Sequence, residues 1–181
     1  HWNLKMLKDN IRLIFNKLNE NRFDEAEKDA LSLLHENKDS IEVENVLAIV
    51  YAAKKNYPEA INILKKILHN NPRFSDALIN LANIYRDLND YLKAIFFYEK
   101  CLELNQNNDF VLLELAKVYD LNEQFSESEQ IYKKLISKHS KNLEILFEYG
   151  KNKLFVDNLD EANIIADQIL KINNKSVEGY I

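Results

Sequence analysis

Threonine is missing from the chain altogether, and its 181 residues hold only two glycines, two prolines and one cysteine. β-Sandwiches and β-barrels need turn residues at short intervals, so this shortage argues strongly against them. The lack of threonine also removes one of the residues that favour strands. Glycine-rich loops that cradle nucleotide phosphates are excluded on the same count. A lone cysteine leaves no disulfide framework and no cysteine-based zinc site. No apolar run reaches the roughly 18 residues needed to span a membrane. The formal net charge is −5, and the lysines are scattered among acids rather than gathered in a stripe with aromatics. That balance speaks against a nucleic-acid surface. What is present is 46% apolar and 29% charged, the composition of a packed chain. Asparagine (24) and isoleucine (18) are abundant, and lysine (20) far outnumbers arginine (4), a skew that an AT-rich genome produces.

The main signal is an internal repeat. Tyr51, Tyr85 and Tyr119 stand 34 residues apart, each three after a small residue, Ala48, Ala82 or Ala116. Leu47, Leu81 and Leu115 precede those alanines. Further columns keep the same interval: Phe23, Tyr57, Tyr91, Phe125 and Leu159; Ala26, Ala60, Ala94, Ser128 and Ala162; Leu34, Leu68, Leu102, Ile136 and Leu170. Within a repeat, Leu78, Leu81, Ala82 and Tyr85 share one helical face. A polar break, Asp87 to Asp90, follows. Ala94, Ile95, Tyr98, Cys101 and Leu102 then mark a second amphipathic helix. Pro58 suits the first turn of such a helix, and Pro72 suits the residues just past its end. The pattern predicts about ten helices in antiparallel pairs.

This arrangement resembles the tetratricopeptide repeat (TPR) family. Leu78-x2-Leu81-Ala82-x2-Tyr85 followed by Ala94-x3-Tyr98 carries the motif best, with Leu78 where the family often has tryptophan. The expected fold is all-α. The resemblance implies a right-handed superhelical solenoid with five units, 7–40, 41–74, 75–108, 109–142 and 143–176. Residues 177–181 read as the start of a further or capping helix. Ile14 and Lys17 depart from the columns in the first unit, and Lys153 in the fifth. Terminal repeats have one side facing solvent, so these departures mark the two units as near-terminal.

Little in the chain points to catalysis. His35 and His69, with His139 near the equivalent place, fall at the ends of second helices. A metal ladder and a set of polar C-caps are the two readings, and the spacing of roughly 10 Å between packed helices favours the caps. Cys101 falls in a buried column and reads as core. Glu25 with Glu27, and Glu127 with Glu129, read as solvated acids. No cofactor, metal or catalytic residue is expected.

In tetratricopeptide proteins the first helices line a concave groove that holds a partner segment. Carried onto this sequence, the resemblance gives Ile11 and Phe15; Asn45 and Ile49; Ile79, Asn80, Asn83 and Arg86; Phe110, Leu113 and Lys117; and Phe147 and Lys151, with Phe155 beyond. The set is unusually apolar, which suits an amphipathic or apolar helical segment. Tighter coiling that buries these residues is the competing reading. The carboxylate clamp of heat-shock-chaperone adaptors is not reproduced, because Ile11, Phe15, Val46, Asp76 and Asn80 occupy its places. Nor is the asparagine ladder of O-linked N-acetylglucosamine transferases, where Arg12, Val46, Glu114 and Glu148 accompany Asn80.

The sequence therefore predicts a noncatalytic interaction module that binds a peptide or amphipathic helix. The alternatives are the N-terminal repeats of a glycosyltransferase or sulfotransferase, suggested by an end within a helical pattern, and a self-assembling scaffold such as a homodimer. His1 is not an initiator methionine and reads as a tag remnant or the edge of a longer chain. The start lacks the apolar stretch of a secretory signal, so a cytoplasmic location is expected.

Overall fold

The computed structural model describes residues 2–178. Ten helices follow in chain order: α1 (Trp2–Asn19), α2 (Phe23–Glu36), α3 (Ile41–Ala53), α4 (Tyr57–Asn70), α5 (Ser75–Asp87), α6 (Tyr91–Leu104), α7 (Asp109–Leu121), α8 (Phe125–Lys138), α9 (Leu143–Phe155) and α10 (Leu159–Glu178). No strand occurs among the described residues. Val177 and Glu178 continue α10, and 179–181 lie outside the described residues. The helices form two compact bodies, one running to Leu88 and the other starting at Asn89.

Turn chemistry repeats with the sequence. Asn21, Lys55, Asn89, Glu123 and Asp157 all have left-handed backbone, with φ between 56° and 63°. Each stands 34 residues after the last, at the link between the two helices of a repeat. The residue after it closes the turn by donating back across the helix end. Asn56 N–H reaches the Tyr51 carbonyl at 2.9 Å, and Gln124 N–H reaches that of Tyr119 at 2.8 Å. The links from second helix to first helix are equally regular. Ser40, Asn108 and Asn142 cap α3, α7 and α9, their side chains accepting from Val43, Val111 and Ile145 N–H. Asn37, Asn71 and Asn105 close α2, α4 and α6. Part of the asparagine excess thus does structural duty at caps and turns.

In the N-terminal body the core joins Ile14 to Ala26, Ala30 and Leu33 of α2 and to Val43, Leu47 and Val50 of α3. Ala48 and Ala60 are fully buried, as the small-residue columns require. The C-terminal body packs Leu112, Ala116, Tyr132, Leu135, Leu146 and Tyr149 against Ile165 of α10. Cys101 is buried.

Two of the three departures from the columns are buried, and the third, Lys17, is half-buried with its Nζ 2.5 Å from Asp29. Ile14 is buried. The Lys153 side chain is only 3% exposed, and its Nζ lies 2.6 Å from Glu129 and 3.2 Å from Glu161. It also sits over the Tyr149 ring, 5.0 Å from the centroid. A cation here replaces the column tyrosine by ion pairing, not by opening to water. Glu129, read from sequence as a solvated acid, is half of that arrangement.

Candidate interaction surface

The first helices of the N-terminal body turn their column residues inward. Leu47 and Ala48 on α3, and Leu81 and Ala82 on α5, are buried. The residues between the columns are left to line a concavity of about 310 Å³. Ile11 and Phe15 come from α1, Asn45, Val46 and Ile49 from α3, and Ile79 and Asn80 from α5. Phe74, at the start of α5, closes one end, and Glu42 and Asp76 stand at the rim. The volume lies at the lower end of ligand pockets.

Two carboxamides meet in this cavity. Asn80 Nδ2 donates to Asn45 Oδ1 at 2.8 Å. That leaves both N–H groups of Asn45, the second N–H of Asn80 and the Asn80 carbonyl, which between them supply the donor and acceptor that complement a peptide group.

Six of the residues expected from sequence therefore meet: Ile11, Phe15, Asn45, Ile49, Ile79 and Asn80. Asn83 belongs to a neighbouring concavity of about 230 Å³, with Asn80, Lys55 and Asp87. Arg86 lies further along α5, its guanidinium 3.3 Å from Asp87. Phe74, Val46, Glu42 and Asp76 were not expected in the groove. Sequence places Val46 at the chaperone-adaptor clamp and the asparagine ladder, and Asp76 at the clamp, without putting either in the groove. Phe74 lies in a turn, outside any helical periodicity, and so gave no signal.

The remaining expected residues lie in the C-terminal body, on α7 and α9. Phe110 and Phe147 are 59% and 58% exposed. Leu113 is buried in the core instead of facing outward, because α9 packs over it. Lys117 Nζ bridges Glu114 at 2.9 Å and Glu144 at 2.8 Å. Burial opposes its charge, but the hydrogen bonds to Glu144 and Glu114 outweigh it and hold its pKa above the ordinary lysine value. Lys151 Nζ lies 2.6 Å from Glu148 and 5.7 Å from the Phe147 ring centroid. Phe155 stacks on Phe125, with centroids 5.6 Å apart.

His35 and His69 lie in the last turns of α2 and α4, and His139 caps α8 with Nε2 2.8 Å from Asp109. No group of three or more His, Cys, Asp or Glu among the described residues is placed to hold a metal ion. No helix among them is long and apolar enough to cross a membrane.

Comparison with known proteins agrees with this architecture. The family model "Tetratricopeptide repeat" matches residues 75–108, which are α5, α6 and their links. No curated protein matches the chain. Among solved structures, the crystal structure of the MamA protein is 19% identical with a TM-score of 0.74, covering 95% of this chain and 94% of its own. The nearly identical TPR-like repeats of a putative kinesin light chain from Podosopora anserina are 17% identical, with a TM-score of 0.80 and coverage of 94% and 96%. A tetratricopeptide repeat protein from Parabacteroides merdae is 20% identical with a TM-score of 0.75, the match covering 91% of this chain and 64% of that one. Such repeats serve in general as noncatalytic scaffolds for protein interaction. The chain therefore carries a tetratricopeptide repeat at residues 75–108 and has the all-α fold of tetratricopeptide-repeat proteins.

Proposed function

We propose that this chain is an interaction module that takes a peptide or amphipathic helical segment in the cavity between α1, α3 and α5. The observation that carries the reading is the pairing of Asn45 with Asn80 on an apolar floor. The floor offers anchor sites for apolar side chains, and the carboxamides offer a donor and an acceptor for a main-chain amide. The exposed aromatic residues of α7 and α9 favour a second mode, association with another copy.

A phage-displayed library of short random peptides, selected on the full chain, tests the first reading. Selected peptides are expected to bind the Ile49→Ser/Ile79→Ser variant roughly tenfold more weakly or worse, as loss of apolar anchors at an interface does. Circular dichroism should show its helix content retained. Peptides that bind the variant equally well, or a selection that enriches none, would overturn the reading.

A further inference from the structure

We propose that the cavity of the N-terminal body selects segments whose apolar anchor is flanked by lysine or arginine. The inference deepens the groove reading above and rests on it. Its basis is the state of the two rim carboxylates. Most acids on the first helices have a cation. Asp9 meets Arg12 at 3.2 Å, Glu44 meets Lys66 at 2.7 Å, and Glu148 meets Lys151 at 2.6 Å. Glu114 and Glu144 share Lys117, and Asp109 has Lys138 at 2.9 Å and His139 at 2.8 Å. Glu42 and Asp76 have none among the described residues, and unlike Asp120, which also lacks a cation but accepts from Ser128, Tyr132 and Asn152, they have no neutral donors from other helices. Glu42 accepts only the Ser40 hydroxyl, at 2.9 Å. Both line the cavity.

Helix polarity accounts for acids in first turns, since a negative charge there meets the positive end of the helix. It does not account for the missing cations. Glu44, Asp109 and Glu144 also lie in first turns and are nonetheless paired. The two carboxylates share the lining of one cavity with Ile79, Val46 and Phe74. That juxtaposition suits lysine and arginine, whose aliphatic stems lie along apolar surface while the charged head reaches a carboxylate. The net charge of −5 adds a long-range attraction that salt screens.

The library selection supplies the test. Peptides that depend on Ile49 and Ile79 are sequenced, and the strongest are synthesised with each lysine or arginine replaced by glutamine. Enrichment of basic residues beside an apolar anchor is expected. Affinity should fall about fivefold in the Glu42→Gln/Asp76→Asn variant, the scale of two solvent-accessible ion pairs. The glutamine peptides should bind wild type and that variant alike. Groove-dependent peptides that are neutral or acidic would overturn the inference and leave the groove reading standing. So would basic peptides that bind the carboxamide variant undiminished, since the attraction would then come from net charge alone. A selection without groove-dependent peptides would remove both.

Discussion

Lys153 shows how one substitution in a repeated column changes the chemistry of a core. Where the three central repeats place tyrosine, this side chain brings a cation among Glu129, Glu161 and Tyr149. Glu129 is held below the usual carboxylate range by Lys133 and then Lys153. Glu161 is held down by the Tyr149 hydroxyl and then by Lys153. A carboxylate with a lowered pKa in the folded state binds fewer protons there than when unfolded. Its stabilisation is complete above the unfolded value, near 4.3, and is lost as pH falls through the folded value. Lys153→Met should therefore destabilise the protein at neutral pH by about 1–3 kcal/mol, since it leaves two partly buried acids without their shared cation. Urea midpoints measured between neutral and acid pH should fall less steeply for the variant. Parallel curves would mean that Lys153 does not hold these carboxylates. Sequence alone presents Lys153 only as a departure that marks a near-terminal repeat, because a column break carries no record of its partners. Glu129 and Glu161 lie 24 residues before it and 8 after it, and only folding brings them together.

Helices and turns were legible to different degrees. The helix pairs follow from columns that recur every 34 residues, and the alanine columns are buried as close packing requires. The left-handed turn residue was hidden. Glycine, the usual sign of that backbone, appears at none of the five places, and Asn, Lys, Glu and Asp occupy them instead. This gives a pair of opposed substitutions. Glu123 has φ of 59° and is exposed, so Glu123→Gly relieves the steric cost of a Cβ in left-handed backbone. Gly150 lies inside α9, and a Cβ there would stand 3.5 Å from Ile165 Cγ2, an ordinary contact. Gly150→Ala thus gains helix propensity without a clash. Each change should raise stability by about 0.5–1 kcal/mol, seen as a higher melting temperature by circular dichroism. A loss at Gly150→Ala would mean that the packing of α10 on α9 tolerates no added methyl. The interaction surface was legible only in part. The residues between the columns named six of the cavity's lining, whereas Phe74 came from a turn, and the unpaired state of Glu42 and Asp76 depends on where every lysine points.

At the scale of the whole molecule, the exposed apolar side chains are unevenly divided between the two bodies. Among the described residues of the N-terminal body the large exposed ones are Met6, Leu13, Leu31 and Leu88. The C-terminal body exposes many more. They include Leu92, Phe96, Phe110 and Phe147, the run Leu154, Phe155 and Val156, and Ile164 and Leu170 on α10. Isolated apolar residues on a surface need no explanation, whereas a contiguous apolar patch marks a surface that meets another protein. A second copy presents the same residues at the same concentration, so the proposed second mode, association with another copy, would run through the C-terminal body. Light scattering should give a mass near 21 kDa at the lowest concentrations and a rising mass above them. Phe110→Ser/Phe147→Ser should hold the mass nearer the monomer. Both rings are more than half exposed, so the double variant should melt within a few degrees of wild type. A large drop in melting temperature would place the rings in the core. A mass that stays monomeric at every concentration would overturn the second mode, and peptide selection on the variant would then show whether Phe110 and Phe147 contribute to binding a different protein.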